Sequence, residues 1–236
     1  MEKSLPDAVY TEIADAYAAV VDTKPHNAYY DRPAVQSLTP DVAGKAVLDA
    51  GCGPGAYAEW LLSRGAVVTA VDANEKMLEH ARRRIGEKAR LILANLEEPL
   101  GFLADGSFDG IVCPLTVAYL RDLDASFKEF FRVLKRGGWF VFSTEHPFFN
   151  YGYYGLDNYF ETKQVAATWK GFGEPFKMPS HYHSLGCLAN ALTGAGFLID
   201  RILEPKPTEE FKAADARRYD KLTRFPLFIC FRAVKA

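Results

Sequence analysis

The sequence has few cysteines and no apolar run long enough to cross a bilayer. Cys52, Cys113, Cys187 and Cys230 lie far apart and form no Cys-x-x-Cys pair. This spacing is typical neither of a structural zinc site nor of a disulfide framework. The apolar runs are shorter than the ~20 residues of a spanning helix, and the N-terminus lacks the apolar core of a signal peptide. We therefore expect a soluble cytoplasmic protein with reduced thiols, no membrane partner and no bound metal.

The sequence also lacks an excess of charge of either sign. Lys and Arg number 28, Asp and Glu number 30, and the net charge is -2. Because no positive excess is available to attract a polyanion, we expect no nucleic-acid partner. The densest basic stretch, residues 82–90, lies next to Glu79 and contains Glu87, which is typical of a solvated helix face. The 236 residues, 49% of them hydrophobic, suit one globular domain.

Strand-like and helical apolar segments alternate along the middle of the chain. The predicted strands cover residues 46–49, 67–71, 90–94, 108–113 and 139–143. The helices predicted between them cover residues 57–63, 75–85 and 123–134. A helix at 185–195 and strands at 197–203 and 227–234 complete the pattern. Strands separated by helices of this length pair in parallel, so the sequence predicts an α/β fold with helices on both faces of the sheet.

Two segments fall outside this alternation. Residues 8–20 carry apolar side chains at helical spacing, and a looser segment follows up to Pro40. Residues 145–183 are rich in Gly, Pro and aromatic side chains and show no sustained period. We expect one domain over residues 1–236, in which residues 1–40 form a helical cap and residues 145–183 an inserted lid.

The strongest motif is the run VLDAGCGPG at residues 47–55. Its glycines alternate between a strand and a helix, where the backbone can approach a ligand closely. Asp72 closes the next strand, where a carboxylate can bind both ribose hydroxyls of an adenosine ligand. Glycine-rich turns also occur for structural reasons, and Asp72 can instead cap the next helix. Both features in one βαβ unit nevertheless favour a nucleoside-binding site.

Two other nucleotide-binding motifs match this region poorly. A nicotinamide site has the pattern G-x-G-x-x-G, and Ala56 stands where its third glycine would fall. A P-loop needs Gly-Lys-Ser/Thr, which is absent. Asp49, at the end of the first strand, suits a cationic ligand better than a pyrophosphate. A nicotinamide-dependent oxidoreductase therefore stays only as a weaker alternative.

Residues 49–55 resemble the first motif of class I S-adenosylmethionine-dependent methyltransferases, with the pattern D-x-G-x-G-x-G. Residues 107–113 and 130–138 are similar to the family's fourth strand and to the helix and turn before its fifth. Residues 27–33, 146–148, 158–160 and 169–175 resemble a group of bacterial small-molecule methyltransferases of unassigned substrate. The resemblance implies a doubly wound, Rossmann-like sheet of seven strands in the order 3-2-1-4-5-7-6, the last one antiparallel.

The resemblance also implies S-adenosylmethionine as cofactor and S-adenosylhomocysteine as product. In the family the glycine loop holds the methionine part and the acid after strand two holds the ribose. After strand three the family commonly has Asp against the adenine amino group; here Asn95 stands there and can still accept through its carbonyl oxygen. Tyr17 and Tyr30 are candidates to close the cap over the methionine end. The expected cofactor-binding residues are Asp49, Gly51, Cys52, Gly53, Gly55, Asp72, Ala73, Asn95, Leu96, Leu115, Tyr17 and Tyr30.

Methyl transfer from a sulfonium requires an aligned acceptor and exclusion of water, and a base only when the acceptor is protonated. We expect the acceptor at the carboxyl ends of strands four and five, under residues 145–183. The aromatic side chains there suit a partly aromatic or apolar small molecule or a box around the cationic sulfonium, or else merely pack the insertion. His146 is the first candidate for a base or orienting group and Tyr119 the second; each can instead be structural.

The expected protein is a monomer or homodimer that methylates a small molecule by in-line displacement. A cofactor-binding regulator without transfer activity stays as an alternative, because these enzymes share no invariant catalytic residue whose loss would reveal inactivity. The identity of the acceptor does not follow from the sequence.

Overall fold

The alternating segments build one seven-stranded sheet in the order β3-β2-β1-β4-β5-β9-β8. The computed structural model describes residues 4–170, 172 and 174–236; residues 1–3, 171 and 173, which the expected cap and lid include, lie outside the described residues. The strands of the sheet are β1 Ala46–Ala50, β2 Val67–Asp72, β3 Arg90–Leu93, β4 Phe108–Pro114, β5 Leu134–Glu145, β8 Leu198–Leu203 and β9 Phe228–Val234. A separate antiparallel hairpin pairs β6 Lys163–Trp169 with β7 Phe176–Tyr182.

Helices cover both faces of the sheet. They are α1 Asp7–Val20, α2 Arg32–Leu38, α3 Ala56–Ser63, α4 Glu75–Ile85, α5 Leu123–Val133, α6 Pro147–Tyr154, α7 Leu185–Ala195, α8 Glu209–Ala214 and α9 Ala216–Leu222. Strands β1 to β5 are parallel, whereas β9 runs antiparallel to both β5 and β8. This order confirms the expected 3-2-1-4-5-7-6 topology, with β8 and β9 as the sixth and seventh strands of the sheet.

Helix boundaries follow local capping chemistry. The side chain of Asn74 accepts the backbone N–H of Met77 at 3.1 Å and begins α4. Asp122 begins α5 in the same way, and Ser184 begins α7. These side chains satisfy backbone donors that have no partner inside the helix, which is why each helix begins where it was predicted to begin.

Strand β5 carries the centre of the core on both of its faces. Phe140 and Phe142 pack on one side of the sheet against Phe127 of α5, and Trp139 and Val141 pack on the other. Alternate residues of a strand point to opposite faces, so one continuous apolar run serves both layers. The strand begins at Leu134, five residues earlier than predicted, because Leu134 already pairs with Phe108 of β4.

Two interpretations of the irregular segments are wrong, and two short helices elsewhere were missed. The segment after α1 is not loose, since it forms a π-helix at Asn27–Asp31 and then α2. The insertion is not without regular structure, since it contains α6 and the β6–β7 hairpin. The short helices α8 and α9 were not predicted at all. All of these helices are too short to show a clear helical period, since each spans about two turns or less.

In the described part of the chain, none of the helices is long and apolar enough to span a membrane.

Gly110→Ala is expected to lower the free energy of unfolding by about 1–3 kcal/mol, the usual cost of overpacking. Gly110 in β4 pairs with Trp139 in β5, and a Cβ at this position would lie 2.1 Å from Cζ2 of the indole ring. Thermal denaturation should report a fall in Tm of roughly 2–4 °C per kcal/mol.

The matched control for that substitution is Gly152→Ala in the exposed surface of α6, where no atom lies within 4 Å of the added Cβ. This change should leave the Tm equal or slightly higher, because alanine favours a helix over glycine by roughly 0.5–1 kcal/mol. An equal Tm for native protein and Gly110→Ala would contradict the steric argument.

Candidate active site

A cavity of about 480 Å³ lies at the carboxyl ends of the parallel strands. Its floor includes Gly51 and Gly53 after β1, Asp72 at the end of β2, Pro114 at the end of β4 and Glu145 at the end of β5. Its cover comes from α1, α6, β6 and the chain between α1 and α2. Carboxyl ends of parallel strands meet at one edge of a sheet, where α/β proteins usually bind ligands.

The backbone of the glycine loop after β1 has little room for side chains at Gly51 and Gly55. Gly51 has φ +78°, and a Cβ there would lie 2.2 Å from Oγ1 of Thr116 in the loop after β4. Gly55 has φ +86°, and its Cβ would lie 3.2 Å from the backbone of Ala81 in α4. Left-handed backbone and close packing both require glycine. The loop therefore presents backbone atoms, rather than side chains, to the cavity.

Asp72 ties this loop to the second strand. Its Oδ2 accepts the N–H of Gly53 at 2.7 Å, and its Oδ1 accepts the N–H of Asn74 at 2.9 Å. Burial raises the pKa of Asp72 to about 6, and these backbone donors oppose that shift. Each carboxylate oxygen can accept a second hydrogen bond. Asp72 therefore holds the turn before α4 and also offers acceptor sites to the cavity, so the two roles considered for it are compatible.

Asp49 is fully buried and does not line the cavity. Neither of its carboxylate oxygens forms a regular hydrogen bond within the described chain. Burial, followed by the nearby charge of Asp72, raises the pKa of Asp49 to about 8, and the backbone amide of Ala58 opposes the shift. Such a carboxyl is costly to ionise unless a cation comes near it. Cys52 and Gly55 of the same motif are likewise absent from the cavity wall.

Asp49→Asn is expected to stabilise the ligand-free protein increasingly as the pH rises. The folded-state pKa of Asp49 is raised to about 8, so the folded protein retains a proton that the unfolded chain loses. Stability is therefore lost as the pH climbs from the unfolded pKa, near 4, to about 8, and the loss is complete above that. Asparagine carries no such titration.

Thermal denaturation of both proteins at steps between about pH 5 and pH 9 tests this prediction. The Tm advantage of Asp49→Asn should widen up to about pH 8 and then stay constant. A difference in Tm that does not change over this range would show that Asp49 titrates normally.

The adenine side of the expected site lies in the cavity wall. Ala73, Asn95, Leu96 and Leu115 all line the cavity. The Asn95 side-chain oxygen accepts the N–H of Glu97 at 3.1 Å and so shapes the turn after β3. Leu115 has φ +52°, which is unusual for a residue with a Cβ, and its N–H lies 3.1 Å from Oγ of Ser143 on β5. The loop after β4 is therefore held close to the end of β5.

Three tyrosines from two elements meet in the cavity wall. The hydroxyls of Tyr10 and Tyr119 are hydrogen-bonded at 2.8 Å, and the hydroxyl of Tyr17 accepts from Asn27 at 3.1 Å. Burial raises the pKa of Tyr17 to about 12 and also raises the pKa of Tyr10 and Tyr119. All three phenols are therefore neutral near pH 7. In that state they can orient a ligand by hydrogen bonding.

His146 and Tyr30, two of the expected site residues, do not line the cavity. Nδ1 of His146 accepts the N–H of Phe148 at 3.2 Å and caps α6, and its Nε2 lies 2.9 Å from Oε1 of Glu204. Since both ring nitrogens are engaged, this histidine is a capping residue of α6. Tyr30 is buried in a separate cluster with Phe211 and Phe228.

Sequence reasoning missed four charged residues of the cavity wall, Glu145, Lys24, Lys170 and Arg218, of which the first two are at least partly buried. Glu145 ends β5, burial raises its pKa, and its Oε2 accepts the side-chain amide of Asn150 at 2.9 Å. The position two residues after a predicted strand was a usable signal for Glu145, since strand ends lie at the ligand edge. Lys24, in the turn after α1, has no such signal.

No group of three or more His, Cys, Asp or Glu side chains within the described ranges has the arrangement of a metal site.

Comparisons with known proteins agree with this geometry. The family model described as "Methyltransferase domain" matches residues 48–142. A crystal structure of an S-adenosylmethionine-dependent methyltransferase from Mesorhizobium loti is similar, with 27% identity, a TM-score of 0.70 and coverage of 91% of this chain and 99% of that chain.

Two curated bacterial enzymes are similar over part of their length. A malonyl-[acyl-carrier protein] O-methyltransferase of Erwinia pyrifoliae is 35% identical over 63% of this chain and 53% of its own length. A ubiquinone biosynthesis O-methyltransferase of Thiobacillus denitrificans is 35% identical over 44% of this chain and 45% of its own length. The chain thus matches about half the length of these two relatives. The names of these two enzymes state different methyl acceptors, and each acceptor is a property of that relative.

Proposed function

Since the chain belongs to the class I S-adenosylmethionine-dependent methyltransferases, we propose that it methylates a small molecule held in the cavity. The observation that carries this proposal is the cover over the strand ends. Aromatic side chains from α1, α6 and β6 enclose the space beside the glycine loop, including Tyr10, Phe149 and Trp169. A pocket lined by aromatic side chains in this way suits a small molecule.

The residues of the floor fit the cofactor. When bound, S-adenosylmethionine supplies an activated methyl group that an acceptor takes by in-line displacement. We propose that the backbone of Gly51 and Gly53 holds its methionine part, that Asp72 accepts from the ribose hydroxyls, and that Asn95 and Leu96 line the adenine pocket. The buried carboxyl of Asp49, which lacks a regular hydrogen bond within the described chain, supports a cationic ligand in this loop.

On the acceptor side we assign the role of base to Glu145 in place of His146. Glu145 lines the cavity, and burial raises its pKa, which makes its carboxylate a stronger proton acceptor than an exposed glutamate. The amide of Asn150 holds one of its oxygens. The Tyr10–Tyr119 pair is proposed to orient the acceptor by hydrogen bonding.

Calorimetric titration with S-adenosylmethionine, S-adenosylhomocysteine and NADH tests the cofactor, and radiolabelled methyl transfer tests the acceptor class. We expect binding of the first two compounds and none of NADH. Label should then pass from the cofactor into a protein-free small-molecule extract. Binding without transfer to any such extract would favour a regulatory cofactor-binding protein, and binding of NADH alone would overturn the proposal.

A cytoplasmic location and a monomeric or homodimeric state complete the proposal. The location is supported by the cysteines, which are all free, with Cys52, Cys113 and Cys230 buried in the core. Buried, unpaired thiols are typical of a reducing compartment. Size-exclusion chromatography with light scattering measures the oligomeric state.

A further inference from the structure

Lys24 occupies an unusual position in the cavity wall. It lies in the tight turn between α1 and the π-helix, where its N–H donates to the carbonyl of Val20 at 2.7 Å and its carbonyl accepts from Ala28 at 2.8 Å. The ammonium lies 4.4 Å from the ring centroids of both Trp169 and Phe172. The turn thus fixes the backbone, and the two rings of the insertion hold the head group at the cavity.

The ammonium of Lys24 has no anionic partner among the residues that the structure describes. None of the ion pairs or side-chain hydrogen bonds of the described chain involves its Nζ atom, and burial alone lowers its pKa to about 8. Contact with aromatic faces compensates a cation only in part, by about 0.5–2 kcal/mol. A partly buried cation without a carboxylate partner is a ready site for an anion that enters the cavity.

Charge is divided between the two sides of the cavity. The acids of the described wall, Asp72 and Glu145, lie at the strand ends, whereas the cations Lys24, Lys170 and Arg218 lie on the covering segments. Arg218 already forms an ion pair with Asp215 at 3.3 Å, and Lys170 is exposed, which leaves Lys24 as the desolvated cation of this side. A ligand that spans the cavity would therefore meet a base at one end and a cation at the other.

We propose that Lys24 binds an anionic group of the methyl acceptor, a carboxylate or a phosphate. This inference rests on the proposed function, because it assigns to the acceptor the part of the cavity under Trp169 and Phe172. The acceptor class is then a small, partly apolar molecule whose anion docks on the cap while its reacting atom lies near Glu145.

The carboxylate of the cofactor is the competing anion for Lys24. The charge of Asp72, which marks the proposed cofactor pocket, acts on Tyr10 and Tyr17 and contributes to their raised pKa. The pKa of Lys24 is lowered by burial. The Lys24 ammonium lies 4.4 Å from the ring centroids of Trp169 and Phe172 in the insertion but 5.7 Å from that of Tyr17 in the cap, which favours the acceptor side of the cavity.

Calorimetry with three small probes tests the proposal: benzoate, phenyl phosphate and the neutral analogue benzamide. Each is titrated into native protein, Lys24→Met and Lys24→Arg, with and without saturating S-adenosylhomocysteine. The control is Lys128→Met, which removes the same charge from the exposed face of α5. We expect native protein, the control and Lys24→Arg to prefer at least one anion over benzamide by about tenfold or more, and Lys24→Met to lose that preference.

Affinity for S-adenosylhomocysteine separates the possible results. It should be equal in native protein and Lys24→Met. A loss of about tenfold or more in Lys24→Met would assign Lys24 to the cofactor carboxylate and overturn the proposal. The proposal would also be overturned if Lys24→Met kept the preference for an anion over benzamide, or if native protein showed no such preference. If neither native protein nor any variant bound S-adenosylhomocysteine, the proposed function would be contradicted. The probe titrations done in the absence of S-adenosylhomocysteine would still show whether Lys24 binds an anion.

Discussion

Asp72→Ala is expected to weaken the binding of S-adenosylhomocysteine by about tenfold or more, since a hydrogen bond to a charged acceptor contributes roughly 1.5–3 kcal/mol. The carboxylate already accepts from Gly53 and Asn74, and each oxygen retains capacity for a ribose hydroxyl. Alanine removes both the acceptor atoms and the bond that fixes the glycine loop. Both losses act in the same direction on affinity, and calorimetric titration measures their sum.

Two further variants separate those losses. Asp72→Asn keeps one acceptor oxygen but removes the charge, so its affinity should lie between native protein and Asp72→Ala. Glu75→Ala, an exposed change in the first turn of α4, should bind like native protein. Unchanged affinity in a folded Asp72→Ala protein, with a native-like melting curve, would remove Asp72 from the proposed cofactor site.

Most of the sheet could be predicted from sequence because its signals are local. Strand β2, for example, is a β-branched run that ends at Asp72, and β4 and β5 contain the apolar runs 111–113 and 139–142, which are buried on both faces. Their order across the sheet came from the family resemblance, and the structure confirms it. Periodicity alone does not fix the order of strands, since it says nothing about which strands pair.

The structure of the insertion could not be predicted, because it is stabilised by contacts with other segments and not by a regular hydropathy pattern of its own. Strand β6 reads KQVAATW, and its residues alternate between exposed and half-buried, never fully buried. The hairpin is held by pairing with β7 and by contacts such as Trp169 with Tyr10 of α1, whose ring centroids are 6.3 Å apart. Contacts between distant segments leave no local signature in the sequence.

The candidate site likewise contains residues that local sequence signals predict and residues that only tertiary contacts place there. Gly51, Asp72 and Asn95 follow strands directly, and their positions in the cavity wall follow from the parallel sheet. Lys24 and Tyr10 enter the wall only because the cap folds over the strand ends. At the end of β5 the sequence pointed to His146, whereas the residue that lines the cavity there is Glu145. Successive residues of an extended chain point to opposite sides, so Glu145 lines the cavity and His146 turns away to cap α6.

Glu145→Gln is expected to lower the rate constant for methyl transfer by about 100-fold or more, the usual contribution of a positioned base. The substitution removes the proton-accepting charge but keeps the size of the side chain and an oxygen that can accept from Asn150. Affinity for S-adenosylhomocysteine should stay within about threefold of native protein, because the change lies outside the proposed cofactor contacts. Single-turnover transfer of labelled methyl into a small-molecule extract measures the rate.

The pH profile gives the same assignment a second test. A base must be ionised, and burial raises the pKa of Glu145, so the native rate should fall as the pH drops through that raised pKa. Glu145→Gln should show no such fall. The matched control is His146→Asn, which retains a side chain able to cap α6 and should keep the rate within about threefold. If Glu145→Gln retains the native rate while His146→Asn loses it, the base is His146 and not Glu145. The cavity wall would then have to rearrange when the methyl acceptor binds.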